Sequence, residues 1–176
     1  PFIGTLDLWL VPSPEVWMKK VIAERHESIF QVCKCFRNAE SLGRIHNPEF
    51  TMLEFYTMGA KAKDSIAITE ELFKTCAGYE TPLACRPPFV EMTTAEAFLT
   101  FARIDLEAHD EAGSLAEAAR SRGLMVPDGA SWDDVYNQAF VNWVEPALPQ
   151  DRPLVLSQYP ARVECLAADI PGTPWK

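Results

Sequence analysis

The sequence lacks the features that mark several large classes of protein. None of its apolar runs approaches the roughly 18 residues that a membrane-spanning helix needs, and no signal peptide, internal repeat or low-complexity segment is recognisable. Basic residues form neither a stripe nor a tail, which weakens the case for direct binding of nucleic acid by this chain. We therefore expect a globular, cytoplasmic protein that has no membrane partner.

Cysteine is present but forms no framework. The five residues are Cys33, Cys35, Cys76, Cys85 and Cys165, and no paired Cys-x-x-Cys or nearby histidine completes a metal site. Cys33 and Cys35 lie in an apparent strand and therefore point to one face. The pattern predicts reduced thiols that serve as small core or wall residues, which fits a reducing cytosol.

Length and charge set further bounds. A chain of 176 residues is long enough for one domain with a real core. Its net charge of −9 is uneven, because residues 1–63 hold 8 Lys or Arg against 7 Asp or Glu, whereas the remainder holds 8 against 18. The acidity is therefore concentrated after the first third of the chain.

Turn and capping signals predict an α+β fold. The first third should contain a short strand, a helix, and two antiparallel strands joined by a polar loop around Gly43. Their predicted bounds are Leu6–Val11 for the short strand, Ser13 to about His26 for the helix with Ser13 as its N-cap, and Ile29–Arg37 and Glu49–Met58 for the paired strands.

The rest of the chain reads as mostly helical. Asp64 is predicted to cap a helix through about Cys76, and capping boxes begin at Thr93 and Ser114. A further helix is predicted to start at Ser131 and to end before Pro146. Leu154–Gln158 reads as a final strand. We expect the sheet and its motif in residues 1–78, a helical insertion in 79–150, and a return to the sheet in 151–176.

The second paired strand has two unlike faces. Alternation places Phe50, Met52, Glu54 and Tyr56 on one face, and the mostly apolar Thr51, Leu53, Phe55 and Thr57 on the other. The apolar face suits a core. The first face does not, because an unpaired buried carboxylate is costly. It suits the floor of a site for a ligand that has a flat base and a cationic group.

These residues resemble motif 2 of the class II aminoacyl-tRNA synthetases in its lysyl version. The resemblance is closest to the stand-alone paralogue, elongation factor P–(R)-β-lysine ligase. The segments that carry it, in the family's order, are Ser13-Pro14-Glu15, Phe30-Gln31, Cys35-Phe36-Arg37-Asn38, His46 through Tyr56, and Gln158-Tyr159-Pro160-Ala161. The resemblance implies an antiparallel sheet flanked by helices, with a mostly helical insertion.

The resemblance also implies roles in binding ATP. Arg37 matches the catalytic arginine that clamps the α-phosphate and the substrate carboxylate, a task that suits a planar guanidinium fork. Asn38, His46 and Asn47 match residues that contact ATP, and Phe50 matches the ring under adenine. The family usually has Arg-Asn-Glu, whereas this chain has Ala39 before Glu40, so Glu40 is expected to replace the missing carboxylate through a shifted loop.

The amino-acid side of the site is implied in the same way. Glu54 and Tyr56 match positions that line the amino-acid pocket, where they would hold an amino group of a lysine-like substrate. Ser13, Pro14 and Glu15 match residues that close the substrate side. Helix capping alone also explains Ser13 and Glu15, and one residue can serve both purposes.

Parts of the family pattern are missing from this sequence. The motif 1 helix and strand that build the family's homodimer would precede Pro1, and the Gly-rich motif 3 would follow Lys176. Most ligands of the catalytic Mg²⁺ would come from that later part, so we expect no metal site in this chain. A fragment without motif 3 is expected to be inactive on its own.

Three functions stay open at this point. The first is an ATP-dependent ligase that activates lysine or (R)-β-lysine as an adenylate and transfers it to elongation factor P. The second is the catalytic core of a lysyl-tRNA synthetase. The third is a non-catalytic, synthetase-like binding protein, which the absent motif 3 and Ala39 favour, whereas Arg37, Phe50, Glu54 and Tyr56 argue against it.

Overall fold

The computed structural model describes residues 9–38, 42–43 and 46–176. The chain divides into two compact units, Pro1–Ser65 and Ile66–Lys176, whereas the sequence placed the first boundary near residue 78. In the part of the chain that is described, no helix has both the length and the apolar character needed to cross a membrane.

The described residues of the first unit form a helix and an antiparallel hairpin. Helix α1 spans Glu15–Arg25, strand β1 spans Ile29–Phe36 and strand β2 spans Glu49–Tyr56. The helix ends at His26, which adopts the left-handed conformation (φ 56°) and donates its backbone N–H to the carbonyl of Ile22. The predicted order of helix, strand, loop and antiparallel strand is confirmed.

The beginning of this unit differs from the prediction in two ways. Residues 6–8 of the predicted first strand lie outside the described residues, and residues 9–11 are not a strand. Val11 makes one strand-like contact, in which its carbonyl accepts the N–H of Phe36 at 2.9 Å. The helix begins at Glu15 with Pro14 directly before it, and the carbonyl of Pro14 accepts the N–H groups of Trp17 and Met18. Ser13, the predicted N-cap, lies one residue further out and accepts the N–H of Glu15 through its hydroxyl at 3.1 Å.

The face of the hairpin that was predicted to be core is exposed in the first unit. Leu53 is 43% exposed, and the cross-strand neighbours on that face, Phe30 and Val32, are 74% and 61% exposed. The better covered face is the opposite one, where Cys35 is fully buried. Alternation therefore predicted correctly which residues share a face, but the prediction of which face is buried was wrong. The segment ahead of α1 contacts the face that holds Glu54, through Ser13.

Helix α2 spans Ala62–Cys76. It begins two residues before the predicted cap, so Asp64 lies in its first turn. The Asp64 carboxylate accepts the backbone N–H of Lys61 at 2.7 Å and so satisfies a donor ahead of the helix, although Asp64 is not itself the N-cap.

The second unit is mainly helical. Its elements follow a short 3₁₀ turn at Leu83–Cys85 and are β3 (Val90–Thr93), α3 (Thr94–Ala97) continued by a π-helical turn (Phe98–Ala102), α4 (Ala112–Ser121), α5 (Trp132–Ala139) continued by a π-helical turn (Phe140–Val144) and a 3₁₀ turn (Glu145–Ala147), and β4 (Leu154–Ser157). Strand β3 was not predicted. It pairs in parallel with β4, so in the described residues the last strand joins β3 and neither β1 nor β2.

The core of the second unit lies between these helices. Leu115, Val135 and Val144 are fully buried, and the ring of Tyr136 stacks on Phe98 with 4.8 Å between centroids and on Trp132 with 5.2 Å. Stacked aromatic pairs at such separations add to the stabilisation that burial provides.

One of the two predicted capping boxes is confirmed, and the structure adds another at Ser131, where only a helix start was predicted. In each, the N-cap hydroxyl of Thr93 or Ser131 accepts a backbone N–H three residues on, and the acid there accepts the N-cap N–H in return. The box predicted at Ser114 is wrong. Helix α4 begins earlier, and the Ser114 hydroxyl lies in its first turn and donates to the carbonyl of Glu111 at 3.0 Å.

Candidate active site

The candidate site lies on one face of the β1–β2 hairpin, which we call the site face. Antiparallel pairing places Cys35 opposite Phe50, Cys33 opposite Met52 and Gln31 opposite Glu54. Directly opposed residues share a face, and so do residues two apart along a strand. The site face therefore combines two thiols, an aromatic ring, an amide and a carboxylate, and Arg37 and Tyr56 extend it at its two ends.

At one end of the site face, a guanidinium lies near an aromatic ring. The Cζ atom of Arg37 lies over the Phe50 ring, 5.2 Å from its centroid, in a cation–π contact. The backbone N–H of Arg37 donates to the carbonyl of Pro48 at 2.9 Å, which fixes the position of the arginine just beyond β1. A flat aromatic surface beside a planar cation can accommodate a base and a phosphate.

At the other end, two hydroxyls hold a carboxylate. Ser13 Oγ donates to one oxygen of Glu54 at 2.7 Å, and Tyr56 Oη donates to the other at 2.8 Å. All three side chains are half-buried. Both donors are neutral, so these two hydrogen bonds orient the carboxylate and leave its negative charge in place. Such a group can receive an ammonium.

The environment of Tyr56 keeps its phenol protonated. Burial, and after it the hydrogen bond to Glu54 and the negative charges of Glu54 and Glu15, raise the pKa of Tyr56 to about 12. At neutral pH the phenol is therefore a donor, and Glu54 is its acceptor. This pair fixes the carboxylate in one orientation on the site face.

The beginning of α1 is linked to this carboxylate by hydrogen bonds of Ser13. Ser13 Oγ accepts the backbone N–H of Glu15 at 3.1 Å while it donates to Glu54. Pro14 is buried, and the Glu15 carboxylate forms an ion pair with Lys19. Ser13 Oγ therefore contacts both the start of the helix and the site face. The roles of Ser13, Pro14 and Glu15 in closing the substrate side stay predictions.

The loop between β1 and β2 holds the other residues that were predicted to contact ATP. Asn47 Oδ1 accepts the N–H of Glu49 at 3.2 Å in a turn, and the carbonyl of His46 accepts the N–H of Gly43 at 3.1 Å. Both side chains are exposed, as is Asn38. Glu40 lies outside the described residues. The roles of these four residues in binding ATP stay predictions.

The described residues do not fit a metal site. Over residues 9–38, 42–43 and 46–176, no three side chains of His, Cys, Asp or Glu lie together in a way that could hold a metal ion. Glu54 is the acid on the site face, and its two oxygens already accept hydrogen bonds from Ser13 and Tyr56. None of these described residues is therefore assigned a role in binding Mg²⁺.

Sequence reasoning missed part of the site. It did not predict that Ser13 bonds Glu54 directly, it assigned Cys33 and Cys35 to a core or wall, and it gave no role to Gln31 beyond the family resemblance. The signal for the last three was available, because each lies an even number of residues before Arg37 and so shares its face. The contact from Ser13 joins residues 41 apart in sequence, which no local pattern indicates.

Comparison with known proteins places these observations in a family context. A family model described as class II tRNA synthetases (D, K and N) matches residues 4–171. The lysine–tRNA ligase of Enterobacter sp. (strain 638) is 34% identical over 176 residues, which cover 92% of this chain and 34% of that protein. The elongation factor P–(R)-β-lysine ligase of Haemophilus influenzae (strain PittGG) is 35% identical over 161 residues, which cover 91% and 47%.

Solved structures agree with this fold. The asparaginyl-tRNA synthetase from Pyrococcus horikoshii, solved in complex with asparaginyl-adenylate, superposes with a TM-score of 0.51 at 18% identity and covers 93% of this chain and 36% of that one. The Entamoeba histolytica asparaginyl-tRNA synthetase gives the same TM-score at 16% identity, with the same coverage of both chains. The chain thus spans between a third and a half of the relatives it matches.

Proposed function

Because the chain belongs to the class II tRNA synthetases of the D, K and N type, we propose that the full-length protein that carries it is an ATP-dependent, lysine-activating ligase. Lysine or (R)-β-lysine is converted to an adenylate, and the acyl group then passes to a lysine side chain of elongation factor P. The observation that carries this proposal is the oriented carboxylate of Glu54, which shares the site face with the Arg37–Phe50 pair.

The spacing of the site face supports the assignment. Phe50 and Glu54 are four residues apart on one strand, a separation of about 13 Å at the usual rise of a strand. An adenylate of an extended amino acid can lie along such a distance, with its base on Phe50, its phosphate near Arg37 and its distal ammonium at Glu54. A carboxylate whose charge is not neutralised by its two hydroxyl donors favours a cationic side chain.

The chemistry requires positioning and charge neutralisation more than a protein nucleophile. In the first step a carboxylate oxygen of the amino acid bonds to the α-phosphorus of ATP, and the bond from that phosphorus to the bridging oxygen of pyrophosphate breaks. Arg37 stabilises the charge that develops on the α-phosphate. In the second step the acceptor amine attacks the acyl carbon, loses a proton, and AMP leaves.

The acceptor is the least constrained part of the proposal. The acidic character of residues 64–176 and the absence of a basic stripe favour a protein acceptor over tRNA. The second candidate, the catalytic core of a lysyl-tRNA synthetase, is favoured by the 34% identity to lysine–tRNA ligases. The third, a non-catalytic binding protein, would need no oriented carboxylate on the site face.

The deciding experiment is amino-acid-dependent ATP–pyrophosphate exchange on the full-length protein, with α-lysine and (R)-β-lysine tested separately. We expect lysine-type substrates to support exchange and asparagine and aspartate, which lack a distal ammonium, to fail. Preference for (R)-β-lysine supports the elongation factor P ligase, and preference for α-lysine supports the tRNA synthetase. No exchange with any of them by the folded protein would refute the ligase assignment.

The acceptor needs its own assay. The full-length protein is incubated with ATP, the preferred amino acid, and either elongation factor P or lysine tRNA. A mass increase of elongation factor P by one lysyl group, with no charging of tRNA, is the expected result. Charging of tRNA with an unmodified factor would overturn the choice of acceptor and leave the activation step intact.

A further inference from the structure

The two thiols of the site face lie side by side. Cys33 Sγ and Cys35 Sγ are 3.8 Å apart, and neither is in a disulfide. They alternate with Lys34 on β1, so both point to the same face, opposite Met52 and Phe50. The other cysteines, Cys76, Cys85 and Cys165, belong to the second unit, and Cys76 and Cys165 are exposed, contrary to the prediction that they are small core or wall residues.

The position of the pair is as informative as its separation. Along β1 the thiols lie between Arg37, near the aromatic end of the site face, and Gln31, which is opposite Glu54. A ligand that extends from Phe50 to Glu54, as the proposed function requires, would pass over them. A chemical change at either sulfur would therefore alter the binding of this ligand.

We propose that Cys33 and Cys35 form a dithiol modification site in the floor of the site face, which an oxidant of the peroxide class converts to an intrastrand disulfide. The peroxide first transfers an oxygen atom to one sulfur, giving a sulfenic acid and, for hydrogen peroxide, one water. The second sulfur then attacks the first, and its proton and the hydroxyl group leave as a second water. The two thiols lose two electrons, and the peroxide gains them.

The two thiols differ in access, which assigns their order of reaction. Cys33 is half-buried and within reach of a small oxidant, whereas Cys35 is fully buried. Burial, together with the hydrogen bond and the charge interaction with Cys33, raises the pKa of the Cys35 thiol above its usual range. Cys33 is thus the thiol that peroxide oxidises to a sulfenic acid, and Cys35 is the thiol that attacks this sulfenic acid to form the disulfide.

Strand geometry makes the product easy to reverse. Residues two apart on a strand have Cα atoms about 6.6 Å apart, which is near the upper limit of the range that a disulfide spans. The strand must therefore distort to close the bond, and strained disulfides are the ones that thiols reduce most readily. The distorted part of β1 is paired with Phe50 and Met52, so closing the bond would alter the surface on which a ligand rests.

The test uses the full-length protein with Cys76, Cys85 and Cys165, and any cysteine outside this sequence, replaced by serine, so that only the pair remains. After a brief treatment with hydrogen peroxide, we expect the intact mass to fall by about 2 Da through loss of two hydrogens. Peptide mapping should place the loss in the peptide that contains both cysteines, and a dithiol reductant should restore the mass. Cys35→Ser in the same background should abolish the loss and accumulate oxygen on Cys33.

Two results would overturn the proposal. One is a gain of two or three oxygens on Cys33 in the protein with both thiols, without any loss of hydrogens. The other is a rate of oxidation that ATP plus lysine do not slow, in a protein that carries out exchange, since the pair would then not lie under the ligand. A protein that shows the mass loss but no exchange would refute the proposed function and leave the modification site standing.

Discussion

Replacing Glu54 with glutamine tests the central feature of the candidate site. The change keeps one oxygen as an acceptor and removes the negative charge that Ser13 and Tyr56 orient at 2.7 and 2.8 Å. A hydrogen bond to a charged partner is worth about 1.5–3 kcal/mol. At about 1.4 kcal/mol for each tenfold change, the KM for lysine should rise about 10- to 150-fold, and the KM for ATP should change little.

The assay is ATP–pyrophosphate exchange with the full-length protein over a range of lysine concentrations. The matched control is Glu49→Gln, because Glu49 lies on the same strand but on the opposite face, where it pairs with Lys34 at 3.0 Å. That variant loses the same charge, and its KM for lysine should stay within about twofold, as expected for an exposed pair. An unchanged KM in the Glu54 variant would refute the assignment of the ammonium site.

The same substitution has a readout that does not depend on activity. Because Glu54 helps to raise the pKa of Tyr56 to about 12, Glu54→Gln should move that pKa downwards, towards its ordinary value of 10.0, with burial retaining part of the shift. Ultraviolet titration of the phenol, with Tyr56→Phe subtracted as the reference, measures it. A pKa that does not move would show that the hydrogen bond is not formed in solution.

Further predictions concern charge, pH and packing. Arg37→Ala should lower the exchange rate about 100-fold or more at saturating substrates, because it removes the group that stabilises charge on the α-phosphate; exchange within a few fold of the parent would contradict that role. Ser131 holds the pKa of the Asp134 carboxyl below its ordinary 3.8, so the stability that Asp134 adds is complete above pH 3.8 and is lost as the pH falls through the lowered pKa. Urea unfolding of Asp134→Asn should therefore differ from the parent at pH 6 and converge with it in acid. Leu115→Ala should destabilise the second unit by about 2–5 kcal/mol, because Leu115 is fully buried, whereas Leu166→Ala, at a side chain that is 84% exposed, should leave its unfolding midpoint almost unchanged.

The hairpin was the most predictable part of the chain. A period of two on each strand and a polar loop between them were enough to give both strands to within two residues and to group Phe50 with Glu54 and Tyr56. The resemblance to class II synthetases rested on the same segments, and the family match confirms it. Local pattern and fold agree here because alternation follows directly from strand geometry.

Burial of the two hairpin faces could not be predicted from pattern alone. Apolar residues at Leu53 and Phe55 indicated a core, yet the chain ahead of α1 contacts the opposite face through Ser13. A period of two predicts which side chains share a face, but it does not predict which face is buried. That choice depends on a contact between residues 13 and 54, far apart in sequence.

The false capping box at Ser114 has a related cause. Its sequence, Ser-Leu-Ala-Glu, satisfies the pattern as well as Ser131-Trp132-Asp133-Asp134 does. Helix α4, however, begins at Ala112, and a serine inside the first turn donates to a backbone carbonyl as easily as a cap accepts an N–H. The pattern identifies residues that can cap, and the position of the first turn decides whether they do.

Ser13 connects the fold of the first unit to the chemistry of the site. A hydroxyl has one proton to donate and two lone pairs to accept with. Here the proton goes to Glu54, and a lone pair receives the N–H of Glu15. The start of α1 and the orientation of the carboxylate are therefore set by one atom. We expect a cation bound at Glu54 to share the carboxylate with Ser13, so that ligand binding and the order of the first helical turn are thermodynamically linked and each responds to a change in the other.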